Sequence, residues 1–382
     1  MQATLISAKP NRELNTPNLS VKPLPITKPD TSRVAVILNR NARRVNDKLA
    51  RRIKEIVGGD NLFYSRTLED AEAYAREIVR RGYGTVVCGG GDGTLARSVN
   101  LIHHYIAQAN AWRADRYQRL GQWQTLITNP DFGFLRLGTG NALGSLVGAS
   151  DPIQDLEFIT TQQSRSRRSV SMIDVEGERC FFTGLGYDSL VLNDYNWMCR
   201  RISNPLTRPL MESVWGYFAA VLGRTIPNVL WHQASNLTAK IVTLGEAFYV
   251  DPDNNDALEP IAPGTILFEG SAAMIGAGTT PFYGYGFKVY PFSELKSDMM
   301  NLRVAQIGPM QVLSNLNSIW KGNYRNSNKL LDFIVSDVSI ELEQPFPLQL
   351  SGDAHGIRKN LRWRIAPDKL HLLDLHRTNM YS

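Results

Sequence analysis

The chain of 382 residues contains only three cysteines, and they form neither a CxxC pair nor a regular disulfide pattern. A disulfide-stabilised secreted domain and a cysteine-based zinc site are therefore not expected, and a reducing compartment is favoured. No GxxxxGK[ST] sequence occurs, which disfavours a P-loop nucleotide-binding protein. An uncharged apolar run of about 18 residues, the length needed to cross a bilayer, is also missing. We expect a cytoplasmic protein whose association with membranes is transient.

Neither sign of charge dominates the composition. There are 42 Lys and Arg residues against 36 Asp and Glu residues, a formal net charge of +6. This small basic excess suits anionic lipid surfaces, nucleotides or nucleic acids equally. Because the basic residues do not alternate with aromatic residues in a compact motif, we do not expect nucleic-acid binding. The 43% of hydrophobic residues is sufficient for the cores of two domains.

Pattern changes along the chain predict four segments. The proline-rich residues 1–31 predict a disordered tail. Alternating apolar runs and helical patterns predict an α/β nucleotide-binding domain with a parallel sheet over residues 32–165. Short strands predict a β-sandwich domain over residues 166–366, with a helical insertion near residues 205–225. Residues 367–382 are predicted to form a C-terminal segment that could return to the first domain.

Two glycine-rich loops are the most informative local features. Residues 89–94 read GGGDGT, and residues 137–142 read LGTGNA. The first loop follows an apolar run and precedes a helical pattern, so it predicts a turn from a buried strand into a helix. Glycines let the backbone approach a phosphate closely, and the free amides at a helix start favour an anion. Asp92 would repel a bare phosphate, which indicates a bound cation or a role in activating the attacking group.

Two other interpretations of these loops remain open. Strand-turn-helix corners are rich in glycine in many α/β proteins that bind nothing there. The second loop also overlaps a dinucleotide-binding fingerprint through Gly138, Gly140 and Gly144, although the glycine spacing differs by one residue. The presence of both loops in one chain favours phosphate binding.

The order and spacing of four segments resemble the diacylglycerol kinase catalytic family. This family includes sphingosine and ceramide kinases and shares the GGDGT loop with NAD kinases and phosphofructokinases. The segments that carry the resemblance are residues 90–94, 137–143, 184–188 and 349–353. The resemblance implies an α/β domain that holds ATP, a β-sandwich domain that contributes to the acceptor site, and an active site in the cleft between them.

The same resemblance implies a set of site residues. Asp353 would be the general base for the acceptor hydroxyl, and Asp92 would position ATP-bound Mg²⁺ or assist the acceptor. Asp298 would lie at an accessory metal site. The nucleotide-binding residues would be Asn39, Ser65, Gly90, Gly91, Asp92, Gly93, Thr94, Gly138, Thr139, Gly140 and Asn141.

The chain also departs from the family pattern. Residues 39–43 lack the proline, serine and glycine of an Asn-Pro-x-Ser-Gly turn, and Arg97 takes the place of a usual glutamate. Asp353 stands where an Asp-Gly-Glu segment has its glutamate, and it could also be a simple turn carboxylate.

Three functions follow from these patterns. The first is an ATP- and Mg²⁺-dependent lipid kinase acting on a diacylglycerol- or sphingoid-type lipid at a membrane surface. The second is an NAD kinase-like enzyme with a soluble acceptor, and the third is a non-catalytic nucleotide or lipid sensor. A homodimer is left open.

Overall fold

The computed structural model describes residues 30–121, 125–138, 141–161, 166–186, 237–283 and 286–376. The helical insertion predicted near residues 205–225 lies outside these ranges, as do Thr139 and Gly140. Most of the predicted N-terminal tail also lies outside them, but its last two residues, 30 and 31, begin the first strand.

The helices and strands of the described residues can be given in chain order. The helices are α1 (Asp47–Val57), α2 (Leu68–Arg81), α3 (Asp92–Leu120), α4 (Ala142–Leu146), α5 (Pro152–Thr161), α6 (Pro309–Ser314) and α7 (Leu316–Trp320), and one 3₁₀ turn spans Gly59–Asn61. The strands are β1 (Asp30–Asn39), β2 (Leu62–Ser65), β3 (Tyr83–Gly90), β4 (Asp131–Arg136), β5 (Arg167–Val170), β6 (Ile173–Val175), β7 (Glu178–Cys180), β8 (Phe182–Gly186), β9 (Leu237–Thr243), β10 (Ala247–Asp251), β11 (Ala257–Ile261), β12 (Ile266–Ala272), β13 (Met274–Gly278), β14 (Met300–Ala305), β15 (Leu330–Val335), β16 (Asp337–Leu350), β17 (Asp353–Ile365) and β18 (Leu370–Leu373).

The first sheet is mainly parallel and belongs to an α/β unit. Its described strands lie in the order β2-β1-β3-β4-β18-β5, and every neighbouring pair is parallel except β18 with β5. Val36, Val87 and Phe132 are fully buried on its central strands, as expected for a sheet covered on both faces. The parallel order brings the carboxyl ends of β1, β2, β3 and β4 to one edge.

Short-range sequence signals explain where α2 begins and ends. The Thr67 hydroxyl accepts a hydrogen bond from the amide of Asp70, and the Asp70 carboxylate accepts one from the amide of Thr67, which forms a capping box. The helix stops at Gly82, whose φ of 66° is in the left-handed region. Both signals lie within a few residues of the helix ends.

The second sheet is antiparallel and contains twelve of the described strands. Its main path is β11-β10-β15-β14-β13-β8-β16-β17-β6-β7, and β9 joins it by pairing with β16 and β12. A turn at Glu176 and Gly177 joins β6 to β7, with φ angles of 55° and 88°. An α/β unit with a parallel sheet followed by a β region confirms the predicted fold class.

The long strand β16 places the turn that carries Asp353. The first half of β16 pairs with β9, and its end pairs with β8 through Gln349 and Leu350. A tight turn at Ser351 and Gly352 then leads into β17, which begins at Asp353. Because β8 and β16 lie side by side, this turn is fixed at the end of the second sheet that approaches α3.

Candidate active site

The two glycine loops meet at the carboxyl edge of the first sheet. The amides of Gly138 and Leu137 donate to the carbonyl of Gly90 at 2.8 and 3.2 Å. A Cβ atom at Gly138 would lie 2.3 Å from the Cα of Gly91, so only a glycine allows this approach of two backbones. The structure therefore brings the described parts of both predicted loops together. Thr139 and Gly140 lie outside the described residues.

The N-terminus of α3 provides an anion-binding geometry. The helix begins after Gly91, whose position makes no side-chain capping hydrogen bond. The Thr94 amide donates to the Gly91 carbonyl at 3.0 Å, while the amides before it in the first helical turn precede the regular helical hydrogen bonds, and the helix dipole favours negative charge there. Asp92 and Gly93 are the first two residues of this turn. A phosphate group fits this helix start, as the sequence predicts for residues 90–94.

Asn39 and Ser65 lie at the same edge as the loops. They are register partners at the ends of β1 and β2. The Asn39 side-chain amide donates to the Thr94 hydroxyl at 3.1 Å, which ties β1 to the first turn of α3. The Thr94 side chain packs over Gly90, where a Cβ atom would lie 2.5 Å from the hydroxyl oxygen. Ser65 is buried, and its carbonyl accepts a hydrogen bond from the Arg40 amide.

The buried carboxylate of Asp92 holds the start of α4. Its two oxygens accept hydrogen bonds from the amides of Ala142 and Leu143 at 2.9 and 3.0 Å. Burial raises the pKa of Asp92, while these amides and the nearby Arg136 act in the opposite direction. The geometry therefore gives Asp92 a structural contact that the sequence did not reveal. Its predicted contact with Mg²⁺ stays a prediction.

Asn141 completes the link between the second glycine loop and α4. It adopts a left-handed conformation with φ of 50°, which asparagine tolerates better than most residues. Its side chain accepts a hydrogen bond from the Gly138 amide at 3.1 Å and donates to the Gly138 carbonyl at 2.8 Å. Asn141 is buried, so these contacts shape the loop from within.

The Asp353 carboxylate reaches the start of α3 from the second sheet. Its turn is anchored because the Ser351 hydroxyl accepts from the Phe181 amide at 3.0 Å and the Ser351 amide donates to the Phe182 carbonyl at 2.8 Å. A Cβ atom on Gly93 would lie 3.0 Å from the Oδ2 atom of Asp353. The carboxylate and the first helical turn of α3 are thus close neighbours, although they are distant in sequence.

Arg97 is the cation that accompanies this carboxylate. Its guanidinium lies 3.6 Å from Oδ2 of Asp353, and the two side chains are 45% and 60% exposed. Gly93 and Arg97 are four residues apart on α3, so they share one face of the helix. The four-residue spacing of Gly93 and Arg97 was visible in the sequence, but the ion pair of Arg97 with Asp353 was not.

A cleft of about 1380 Å³ extends along the same face of α3. Residues that line it include Gly93, Arg97, Asn100 and His104 from α3 and Asp353 from the second sheet. This cleft lies between the α/β unit and the antiparallel region. The carboxylate at the helix start lies at this cleft, whose lining is both polar and apolar.

Asn100 joins α3 to the second sheet at this cleft. Its side-chain amide donates to the carbonyl of Arg179 at 2.8 Å, and its side-chain oxygen accepts from the amide of Arg179 at 2.9 Å. Arg179 belongs to β7. The Asn100 side chain therefore forms the same pair of hydrogen bonds with this strand that the backbone of a neighbouring strand would form. This contact fixes α3 relative to the sheet that carries Asp353.

His103 extends this interface by one helical turn. The Arg179 guanidinium lies 3.2 Å from Nε2 of His103 and 3.1 Å from Oδ2 of Asp368. Burial, together with the charge of Arg179, lowers the pKa of His103 to about 4. The ring is therefore neutral near pH 7, and its Nε2 atom accepts the hydrogen bond from Arg179.

Asp298 has a different environment from the glycine loops. Its carboxylate lies 2.8 Å from the Lys369 ammonium and accepts a hydrogen bond from the Ser171 hydroxyl at 3.2 Å. Within the ranges that the structure describes, no group of three or more His, Cys, Asp and Glu side chains is arranged to hold a metal ion. The accessory metal at Asp298 stays a prediction.

No helix among the described residues is long and apolar enough to cross a membrane.

Comparisons with known proteins agree with this fold. Residues 33–172 match the diacylglycerol kinase catalytic domain. Proteins named "Probable lipid kinase YegS-like" from Xanthomonas oryzae pv. oryzae and Xanthomonas axonopodis pv. citri are 30% identical over 109 residues, which is 28% of this chain. That stretch spans only 29% of the length of each relative.

The fold comparison covers more of the molecule. The crystal structure of a diacylglycerol kinase from Bacillus anthracis aligns with 91% of this chain and 98% of its own, with a TM-score of 0.57 and 14% identity. At that identity the likeness concerns the fold alone, and it extends over both sheets. Residues 33–172 are therefore similar to the diacylglycerol kinase catalytic domain, and the rest of the chain shares the fold of such proteins.

Proposed function

We propose that this chain is an ATP-dependent lipid kinase that phosphorylates a hydroxyl of a diacylglycerol- or sphingoid-type lipid. The observation that carries the proposal is the position of the Asp353 carboxylate against Gly93, at the uncapped N-terminus of α3. A helix start that suits a phosphate and a solvent-accessible carboxylate beside it are two parts that phosphoryl transfer needs.

The proposed reaction assigns a distinct task to each part. The amides at the start of α3 hold the phosphates of ATP. The acceptor hydroxyl gives its proton to Asp353 while its oxygen forms a bond to the γ-phosphorus, and the bond from that phosphorus to the β–γ bridging oxygen breaks. The products are a phosphorylated lipid and ADP. Such general-base assistance contributes about 10² to 10⁴ in rate.

Magnesium enters this proposal only as the cation that accompanies ATP. Both oxygens of Asp92 already accept backbone hydrogen bonds, and the described side chains form no three-ligand cluster. The described residues therefore do not fit a metal site built from protein ligands. We assign no step of the reaction to such a site.

The test is a transfer assay with γ-labelled ATP. The purified chain is incubated with mixed micelles of diacylglycerol, sphingoid base or ceramide, and separately with NAD in the absence of lipid. Labelled lipid phosphate supports the proposal, and labelled NADP supports the soluble-acceptor alternative. Asp353→Asn should reduce turnover at least about a hundredfold while folding normally. Asp115→Asn is the matched control, because Asp115 forms an ion pair with Arg119 near the far end of α3.

One observation favours the alternative of a non-catalytic sensor. The Asp353 carboxylate is already paired with Arg97, so it could serve as a structural contact between the two units. A sensor would bind ATP in calorimetry and transfer no label to any acceptor. Transfer that depends on Asp353 would exclude this alternative.

The proposal includes a lipid surface as the place of reaction. Its support is the related lipid kinases and the open cleft beside Asp353. Transient membrane association and a homodimer remain predictions. Co-sedimentation with anionic vesicles and light scattering would test them.

A further inference from the structure

The Asp353 side chain is held by few contacts, although its backbone is fixed. The turn before it is anchored to β8 through Ser351. The Asp353 side chain is 60% exposed. Among the described residues, it forms an ion pair with Arg97. A side chain with this exposure would rotate among several conformations if it had no partner. The ion pair therefore favours the orientation in which the carboxylate faces α3.

The face of α3 beneath the carboxylate determines that orientation. Gly93 presents no side chain, which lets the carboxylate approach the helix start. Arg97, one turn further along, has a side chain long enough to reach the same Oδ2 atom at 3.6 Å. The glycine provides the space and the arginine provides the attraction. Together they hold the carboxylate over the first turn of α3.

Electrostatics makes such an attraction necessary for the proposed reaction. Phosphates bound at the start of α3 would repel a carboxylate next to them. Without a neighbouring cation, the exposed Asp353 side chain would turn toward water when ATP binds. The guanidinium of Arg97 offsets this repulsion and stays charged at every physiological pH.

We infer that Arg97 is a positioning residue, which keeps the Asp353 carboxylate over Gly93 so that it can accept the proton of the acceptor hydroxyl. This inference rests on the proposed kinase function. Exposed ion pairs contribute little to stability, so the fold does not depend on this pair. Loss of the Arg97–Asp353 ion pair should instead lower turnover.

The kinetic test is a double-mutant cycle with Arg97→Gln, Asp353→Asn and the double variant. Arg97→Gln should lower kcat about tenfold or more, with the KM values for ATP and lipid changed less than twofold, and Arg97→Lys should restore part of the loss. In the Asp353→Asn background, Arg97→Gln should cause no further loss, because it acts through that carboxylate. Arg119→Gln is the matched control, since it removes an exposed arginine ion pair from the same helix.

Two kinetic results would overturn the inference. One is full turnover of Arg97→Gln. The other is an equal loss from Arg97→Gln in the wild-type and Asp353→Asn backgrounds, which would place Arg97 on the phosphates instead.

A structural measurement tests Arg97 even if the chain transfers no phosphate. In crystal structures of the wild type and of Arg97→Gln, the Asp353 carboxylate should lie over Gly93 in the first and turn toward solvent in the second. An unchanged carboxylate in Arg97→Gln would overturn the inference. Absence of turnover in the wild type would count against the kinase function alone.

Discussion

The Oδ2 atom of Asp353 lies against Gly93, only 3.0 Å from the position that a Cβ atom on Gly93 would occupy. This contact joins the second sheet to the first turn of α3 at the end of the glycine loop. A side chain at position 93 would force the carboxylate to shift away from the helix start. The proposed reaction depends on this closeness.

Gly93→Ala should separate stability from activity. Gly93 is helical and has no positive φ, so alanine fits its backbone and should leave the unfolding free energy unchanged or raise it by up to about 1 kcal/mol. The new methyl group would push the Asp353 carboxylate away and lower turnover about tenfold or more, which corresponds to about 1.4 kcal/mol. Denaturant unfolding and the transfer assay measure the two effects. Gly308→Ala is the control, because nothing lies within 4 Å of its Cβ position, and full turnover in Gly93→Ala would contradict the prediction.

Asp92→Asn should destabilise the protein by about 1–3 kcal/mol. An asparagine has only one side-chain oxygen, so one of the amides of Ala142 and Leu143 would face an NH₂ group and lose its acceptor. Thermal and denaturant unfolding measure this loss. Unchanged stability with lost turnover would contradict this prediction, because the hydrogen bonds to α4 would then not explain the effect. It would support the predicted role of Asp92 near ATP-bound Mg²⁺.

Asn100→Ala should reduce both stability and turnover. It removes the two hydrogen bonds to the Arg179 backbone that fix α3 against β7. Asn110→Ala is a close control, since Asn110 forms the same pair of hydrogen bonds with the Ile127 backbone within the α/β unit. Each variant should lose about 1–3 kcal/mol, but only Asn100→Ala should lower turnover at a temperature where both are folded. Equal turnover in the two variants would show that this contact does not position Asp353.

His103 should make stability depend on pH. Its pKa is about 4 in the folded protein and near 6.5 ordinarily, so between these values the unfolded chain binds a proton that the folded chain does not. Stability should therefore fall as pH decreases from about 6.5 to about 4. His103→Gln keeps an acceptor for Arg179 and should flatten this part of the profile. The full loss of unfolding free energy over this pH range would be about 3 kcal/mol, and partial solvent contact of the ring reduces it. Unfolding experiments at several pH values measure the loss. Parallel profiles of wild type and His103→Gln would refute the prediction.

The sequence predicted those features that depend on neighbouring residues. Apolar runs and glycines act over a few positions, so β3, the turn that follows it and the start of α3 were predicted from the pattern. The parallel order of the first sheet also followed from the alternation of strands and helices. The predicted glycine-loop residues that are described lie at one edge, because parallel strands end at the same side.

Only the tertiary structure determined what the carboxylates contact. Asp92 holds α4 because burial excludes water and leaves the helix amides as its partners. Asp353 meets Gly93 and Arg97 because β16 pairs with β8 and Asn100 binds β7. Local patterns do not encode such contacts, since they depend on how distant strands and helices pack. The chain's sequence thus determined where the glycine loop and the start of α3 lie, and packing between its two sheets decided which carboxylate lies beside them.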